Sequence, residues 1–175
     1  MNNRNFPKNT SLPIIGSNES ALDKTKYFIA MEYYGLILNR TFLIVYGTNY
    51  LIGIKVNGLV SADNPSAPLG SLIVSPIVIK GDLDDPLSYV KRVDALKNID
   101  LENEELLIKH NSDFHLSYKE ILDVRYDPKK KWGMGYYPHD GKVYVITNTK
   151  KREFIILGNQ SGKKIADAIL QRTFL

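Results

Sequence analysis

From Glu104 to the C-terminus the chain alternates short apolar, β-branched runs with turn residues, and it closes on one amphipathic stretch. No other feature narrows the choice of fold as much. Strand-length runs separated by tight turns belong to antiparallel sheets, and a single closing helix is the natural cap for the open end of one. With 175 residues the chain supports one sizeable core and no second ordinary domain.

The strand pattern starts earlier, at Lys26. Tyr27-Phe28-Ile29-Ala30-Met31-Glu32-Tyr33-Tyr34 is rich in aromatic and branched residues, and Thr41–Tyr46 is an apolar run of strand length. Gly47-Thr48-Asn49 signals a turn, Tyr50–Val56 returns, and Asn57-Gly58 offers a tight turn. Residues 61–100 interrupt the strands: a loop punctuated by Pro65, Pro68 and Gly70, an ambiguous stretch at 72–79 divided by Pro76, then an expected amphipathic helix at 86–98. That helix has an acidic cap (Asp84, Asp85), Pro86 in its first turn, and Leu87, Val90, Val93 and Leu96 in one stripe.

Strands then resume at 105–110, 114–118, 121–126, 142–147 and 152–157. In the second of these Phe114, Leu116 and Tyr118 share a face opposite His115 and Ser117. Ser161 caps the closing helix, whose stripe is Ile165, Ala166, Ile169 and Leu170. The expected fold class is α+β but mostly β: a bent antiparallel sheet, or partly open barrel, of short strands with a C-terminal helix and an inserted helix. Residues 1–25 read as a partly disordered arm and 26–175 as a single domain.

Absence of cysteine excludes disulfides, thiolate metal sites and cysteine nucleophiles. No signal peptide and no membrane span is legible, so the expected location is cytoplasmic. Charge is uneven. Residues 109–175 carry 13 Lys and Arg against 7 Asp and Glu, whereas 82–105 carries 8 acids against 3 bases. The basic half can steer an anionic partner, and the acidic segment reads as a solvated insertion, or as a face for the basic half of a second copy in a homo-oligomer.

Small strands, then Asp113-Phe114-His115-Leu116-Ser117-Tyr118-Lys119-Glu120-Ile121, a basic hairpin and a capping helix resemble the pleckstrin-homology-like superfold, particularly its bacterial relatives. The resemblance covers residues 26–172, with 61–100 unmatched. It implies a bent sheet plugged by the C-terminal helix, in a domain that binds lipids, peptides or proteins and is rarely an enzyme. The basic phosphate clamp of lipid-binding members has no counterpart at Gly47-Thr48-Asn49.

The candidate binding surface is the hairpin from Lys129, Lys130, Lys131 and Trp132 through Tyr136 and Tyr137 to His139, with Lys150, Lys151 and Arg152 near it. Lysines beside Trp and Tyr suit an anionic membrane surface or a protein partner. They also suit, less well, stacking on single-stranded nucleic acid. The alternative is a solvated tip whose aromatics fold back onto the sheet.

The remaining motifs have bland readings. Gly158-Asn159-Gln160-Ser161-Gly162-Lys163-Lys164 has one residue too few between its glycines for a phosphate loop, and Lys164 stands where Ser or Thr is needed. His110 and His115 flank a turn without further ligands, His139-Asp140 has no nucleophile elbow, and all three histidines read as surface residues. No catalytic residue, metal or cofactor is expected. The expected function is a non-enzymatic binding or adaptor domain; the alternatives are a nucleic-acid-binding domain using the same loop, and an enzyme without a recognisable motif.

Overall fold

The computed structural model describes residues 23–34, 38–58, 60–61, 77–79, 81–91, 99–132, 134 and 137–174. The expected arm, as far as residue 22, the loop at 62–70 and the second half of the expected helix, 92–98, lie outside the described residues.

The strands are β1 (Tyr27–Tyr34), β2 (Leu38–Tyr46), β3 (Tyr50–Asn57), β4 (Val60–Ser61), β5 (Ile77–Val78), β6 (Phe114–Ser117), β7 (Ile121–Asp127), β8 (His139–Thr147) and β9 (Lys151–Leu157). Among the described residues two α-helices accompany them, a short α1 (Glu104–Leu106) and the closing α2 (Gly162–Arg172). Seven strands form one antiparallel sheet in the order β6-β3-β2-β1-β9-β8-β7; β4 and β5 pair in parallel apart from it. The two edge strands, β6 and β7, are consecutive in the chain and joined by a single 3-10 turn at Tyr118–Glu120. So short a link between opposite edges goes with a curled sheet, a half-barrel.

Both faces of the central strands β1 and β2 are buried. In β1 the run Tyr27–Met31 is buried without a break, and successive side chains enter different cores. Phe28 and Ala30 point inward, with Phe42, Ile44, Leu51, Phe114, Val143, Val145, Phe154 and Ile156. Ile165, Ala166 and Ile169 of α2 close that inner core. Its centre is aromatic: Phe114 lies edge-on to Phe42 at 5.3 Å and stacked on Phe154 at 6.0 Å.

Tyr27, Ile29, Met31, Leu43, Val45, Ile52, Ile54, Ile155 and Leu157 point outward. The segment between β3 and β6 covers them with Leu83, Leu87, Tyr89, Val90, Ile99, Leu101, Leu107 and Ile108. The acidic segment is therefore more than a solvated insertion. Its apolar residues form a second layer, while Asp82, Asp84, Asp100, Glu102 and Glu105 stay exposed.

Two expected elements are different here. In place of the helix at 86–98 the described part is one 3-10 turn, Pro86–Tyr89, capped by Asp85. Val90 is extended and the Lys91 N–H goes to the Val56 carbonyl of β3, so the helical ladder stops. In place of a strand at 105–110 there is α1 followed by a π turn at Leu107–Asn111. Asn103 caps it by accepting from Leu106 N–H. Glu104 accepts the backbone N–H groups of Asn49 and Tyr50 at 3.0 and 2.8 Å, which ties the turn to the β2–β3 connection. Among the described residues no strand pairs with β3 across Asn57-Gly58; the Asn57 amide donates to the Tyr89 carbonyl at 3.1 Å.

Candidate basic and aromatic docking loop

The loop between β7 and β8 is fixed at its root before it reaches its tip. Asp127 accepts the Lys129 N–H at 2.9 Å and holds the Lys142 ammonium at 2.8 Å. Gly141 has φ +61°, and a Cβ there would lie 2.2 Å from the Asp127 carbonyl oxygen, so the hairpin closes this tightly only with glycine. A register shift between His139 and Lys142 accompanies it, a bulge that sets His139 opposite Leu157 of the outer core.

His139 is buried, contrary to its expected place on the surface. Its Nε2 accepts the Lys131 N–H at 3.0 Å, and its Nδ1 lies 2.9 Å from the Tyr137 carbonyl. A backbone N–H only donates, so the proton sits on Nδ1 and the ring is neutral. Both nitrogens are occupied, and Asp140 turns away to the Tyr126 hydroxyl and the Gly162 N–H. The His139-Asp140 pair thus has no free base to offer, and the α2 N-terminus already has a carboxylate.

Beyond the root the loop folds back over the outer face. Met134 is 2% exposed and its Sδ receives the Tyr33 hydroxyl. Tyr137 packs against Tyr89 with ring centroids 5.8 Å apart, and burial pushes its hydroxyl far above the ordinary tyrosine range. The Lys131 ammonium meets Glu153 of β9 at 2.5 Å. Trp132 does not follow its neighbours inward: it is 94% exposed. Lys129 and Lys130 beside it are exposed and have no ion-pair partner among the described residues.

The expected nine-residue surface is divided accordingly. Lys129, Lys130 and Trp132 form the free tip. Lys131 and Tyr137 anchor the loop, and Tyr136 lies outside the described residues. Lys150 sits in the β8–β9 turn, at the far end of a nine-residue strand, roughly 27 Å from the root of the loop at ~3.3 Å per residue, so it is not beside the tip. Lys151 lies over the Tyr144 ring at 4.4 Å. Arg152 is held by Glu32 through two bonds of 2.8 and 2.9 Å and lies 3.5 Å from the centre of the Phe114 ring, so it belongs to the inner core.

No family model, no curated protein and no solved structure matches this chain. Function therefore rests on chemistry alone. Among the described residues no group of three or more His, Asp or Glu is placed to hold a metal ion, and no helix is long and apolar enough to cross a membrane. His115 is exposed and meets the Tyr50 ring edge-on at 5.4 Å. A concavity of about 800 Å³ lies between the β2–β3 turn, α1, the β6–β7 turn and the end of α2. Its Glu104 is saturated by Asn49 and Tyr50, and the Tyr118 hydroxyl on its wall is buried out of a ligand's reach.

Proposed function

We propose that the chain is a non-enzymatic, pleckstrin-homology-like binding module that docks on a protein partner through Trp132, Lys129 and Lys130. The curled antiparallel sheet with α2 packed on its inner core supports the family reading. One observation carries the docking reading: the only tryptophan is 94% exposed on a loop that Lys131, Met134 and Tyr137 anchor. A large aromatic held in water on a fixed support is preorganised for a partner's pocket, and tryptophan is among the residues that dominate interface energetics.

Charge alone does not hold this tip on a bilayer. With Lys131 paired to Glu153, two lysines remain free. They contribute about 2 kcal/mol at an anionic bilayer, against the roughly 8 kcal/mol of micromolar affinity. A pocket that closes around Trp132 adds about 2 kcal/mol or more, and an acidic rim on the partner adds steering. Cytoplasmic location and an adaptor role belong to the same proposal.

Immobilised chain tests it. Replacing Lys129 and Lys130 by Glu and Trp132 by Ala is expected to weaken retention of the partner at least about 30-fold, the equivalent of 2 kcal/mol. Replacing Lys150 and Lys151 by Glu should leave retention nearly unchanged. Equal retention by the tip variant would remove this surface. Binding to phosphatidylserine vesicles that the tip variant loses would reassign the partner to a membrane.

A further inference from the structure

The bond that positions the tip exists only with a neutral imidazole. Lys131 N–H, one residue before Trp132, donates to His139 Nε2 at 3.0 Å while Nδ1–H donates to the Tyr137 carbonyl at 2.9 Å. A second proton on Nε2 sets two N–H groups against each other. The ring is only 9% exposed, so it cannot turn its new proton to water while the loop stays closed. We propose that His139 is a positioning residue and a pH latch: its neutral ring holds residues 130–132 in place, and its protonation releases them, so that the Trp132 tip is presented or withdrawn with pH. The latch is a property of the free chain; what the released tip does to binding rests on the docking role proposed above.

Charged groups occupy the elements that meet at His139. Lys129, Lys130 and Lys131 precede it on the loop, and Glu153 on β9 holds Lys131. Asp127 and Lys142 pair at the root, and Asp140 is next to it on β8. On the covering layer Asp84 accepts the Asn159 N–H through its carbonyl, beside the bond from Gly158 N–H to the Pro138 carbonyl. The Asp127 carboxyl is held below the ordinary carboxylate range, by Lys142 first and by the Lys129 N–H second. A lowered carboxyl stays charged at every pH above its own titration, so the root remains tied from neutral to mildly acidic pH. Met134 and Tyr137 stay anchored in the outer core. The part that opens is therefore the tip alone.

Backbone order parameters of the free, nitrogen-15-labelled chain decide the matter. Between about pH 8 and pH 5 the amides of Lys130, Lys131 and Trp132 are expected to fall from about 0.85 to below about 0.6, with the rest of the sheet unchanged. In His139→Gln the side-chain oxygen takes the place of Nε2 as acceptor without titrating, and order is expected to persist at both pH values. A wild-type tip ordered throughout, or a Gln variant that loosens in the same way, would overturn the latch. Should the Gln variant fail to fold, the wild type still decides: coincident midpoints for the ring nitrogens and the Lys131 amide support the latch, and separate midpoints overturn it. Neither result touches docking, which stands or falls on the tip variant.

Discussion

Gly53→Ala is expected to destabilise the fold by about 3 kcal/mol, a large effect for one methyl group. A Cβ at Gly53 would lie 2.0 Å from the Phe114 ring, which crosses the glycine from the paired position on β6. The ring has nowhere to retreat. Phe42 meets it edge-on, Phe154 stacks on it, and the Arg152 guanidinium lies against it, itself fixed by Glu32. Moving Phe114 disturbs an ion pair and three packed rings together. Chemical denaturation measures the cost. The double variant with Phe114→Leu should be less destabilised than the sum of the two singles by about 1 kcal/mol or more, because they share one contact. A cost within about 0.5 kcal/mol for Gly53→Ala would mean that the ring does not occupy that face.

Tyr89→Ala is the second large effect, about 3–5 kcal/mol on the scale of buried aromatic truncations. Tyr89 is fully buried and joins three parts of the outer layer. Its ring packs against Tyr137 of the docking loop, its hydroxyl donates to the Leu83 carbonyl at 3.0 Å, and its own carbonyl accepts from Asn57 at the end of β3. Tyr89→Phe keeps the packing and loses one hydrogen bond, for about 1 kcal/mol. Hydrogen exchange locates the damage: the Ala variant should expose the amides of 81–91 and 99–111 before those of β8 and β9. If the acidic segment were a solvated excursion, Tyr89→Ala would cost less than about 0.5 kcal/mol.

Much of the sheet is legible in the sequence because one signal dominates each strand. Phe114 and Leu116 alternate with His115 and Ser117, and β6 is half-buried in that phase. Ser161 stands before the α2 stripe and does cap it, accepting from Lys164 N–H. The second layer is harder to see. Its trace is the unbroken apolar run Tyr27–Met31, which requires cover on both faces, yet nothing local says where the cover comes from. Glu105–His110 has the composition of a strand, and a contact made by Glu104 with Asn49 and Tyr50, more than fifty positions away, helps turn it into a helix.

The site shows the same limit. A basic and aromatic hairpin is visible in the residues 129–139, but which side chains it keeps and which it offers is decided by tertiary partners. Glu153 takes Lys131 and Tyr89 takes Tyr137. His139 has a legible signal after all: β8 is buried at every second residue from His139 to Thr147, so the alternation of Val143 and Val145 carried back through Gly141 places it inside.

Because the chain has one tryptophan, labelling with 5-fluorotryptophan gives a single fluorine resonance, and that resonance reports on the centre of the proposed docking surface. The measurement is its position and width as the partner retained by the wild-type chain is added. Burial of Trp132 in the complex predicts a resonance that shifts or broadens in step with binding. A partner that binds while the resonance stays where it is in the free chain would contradict docking through this loop.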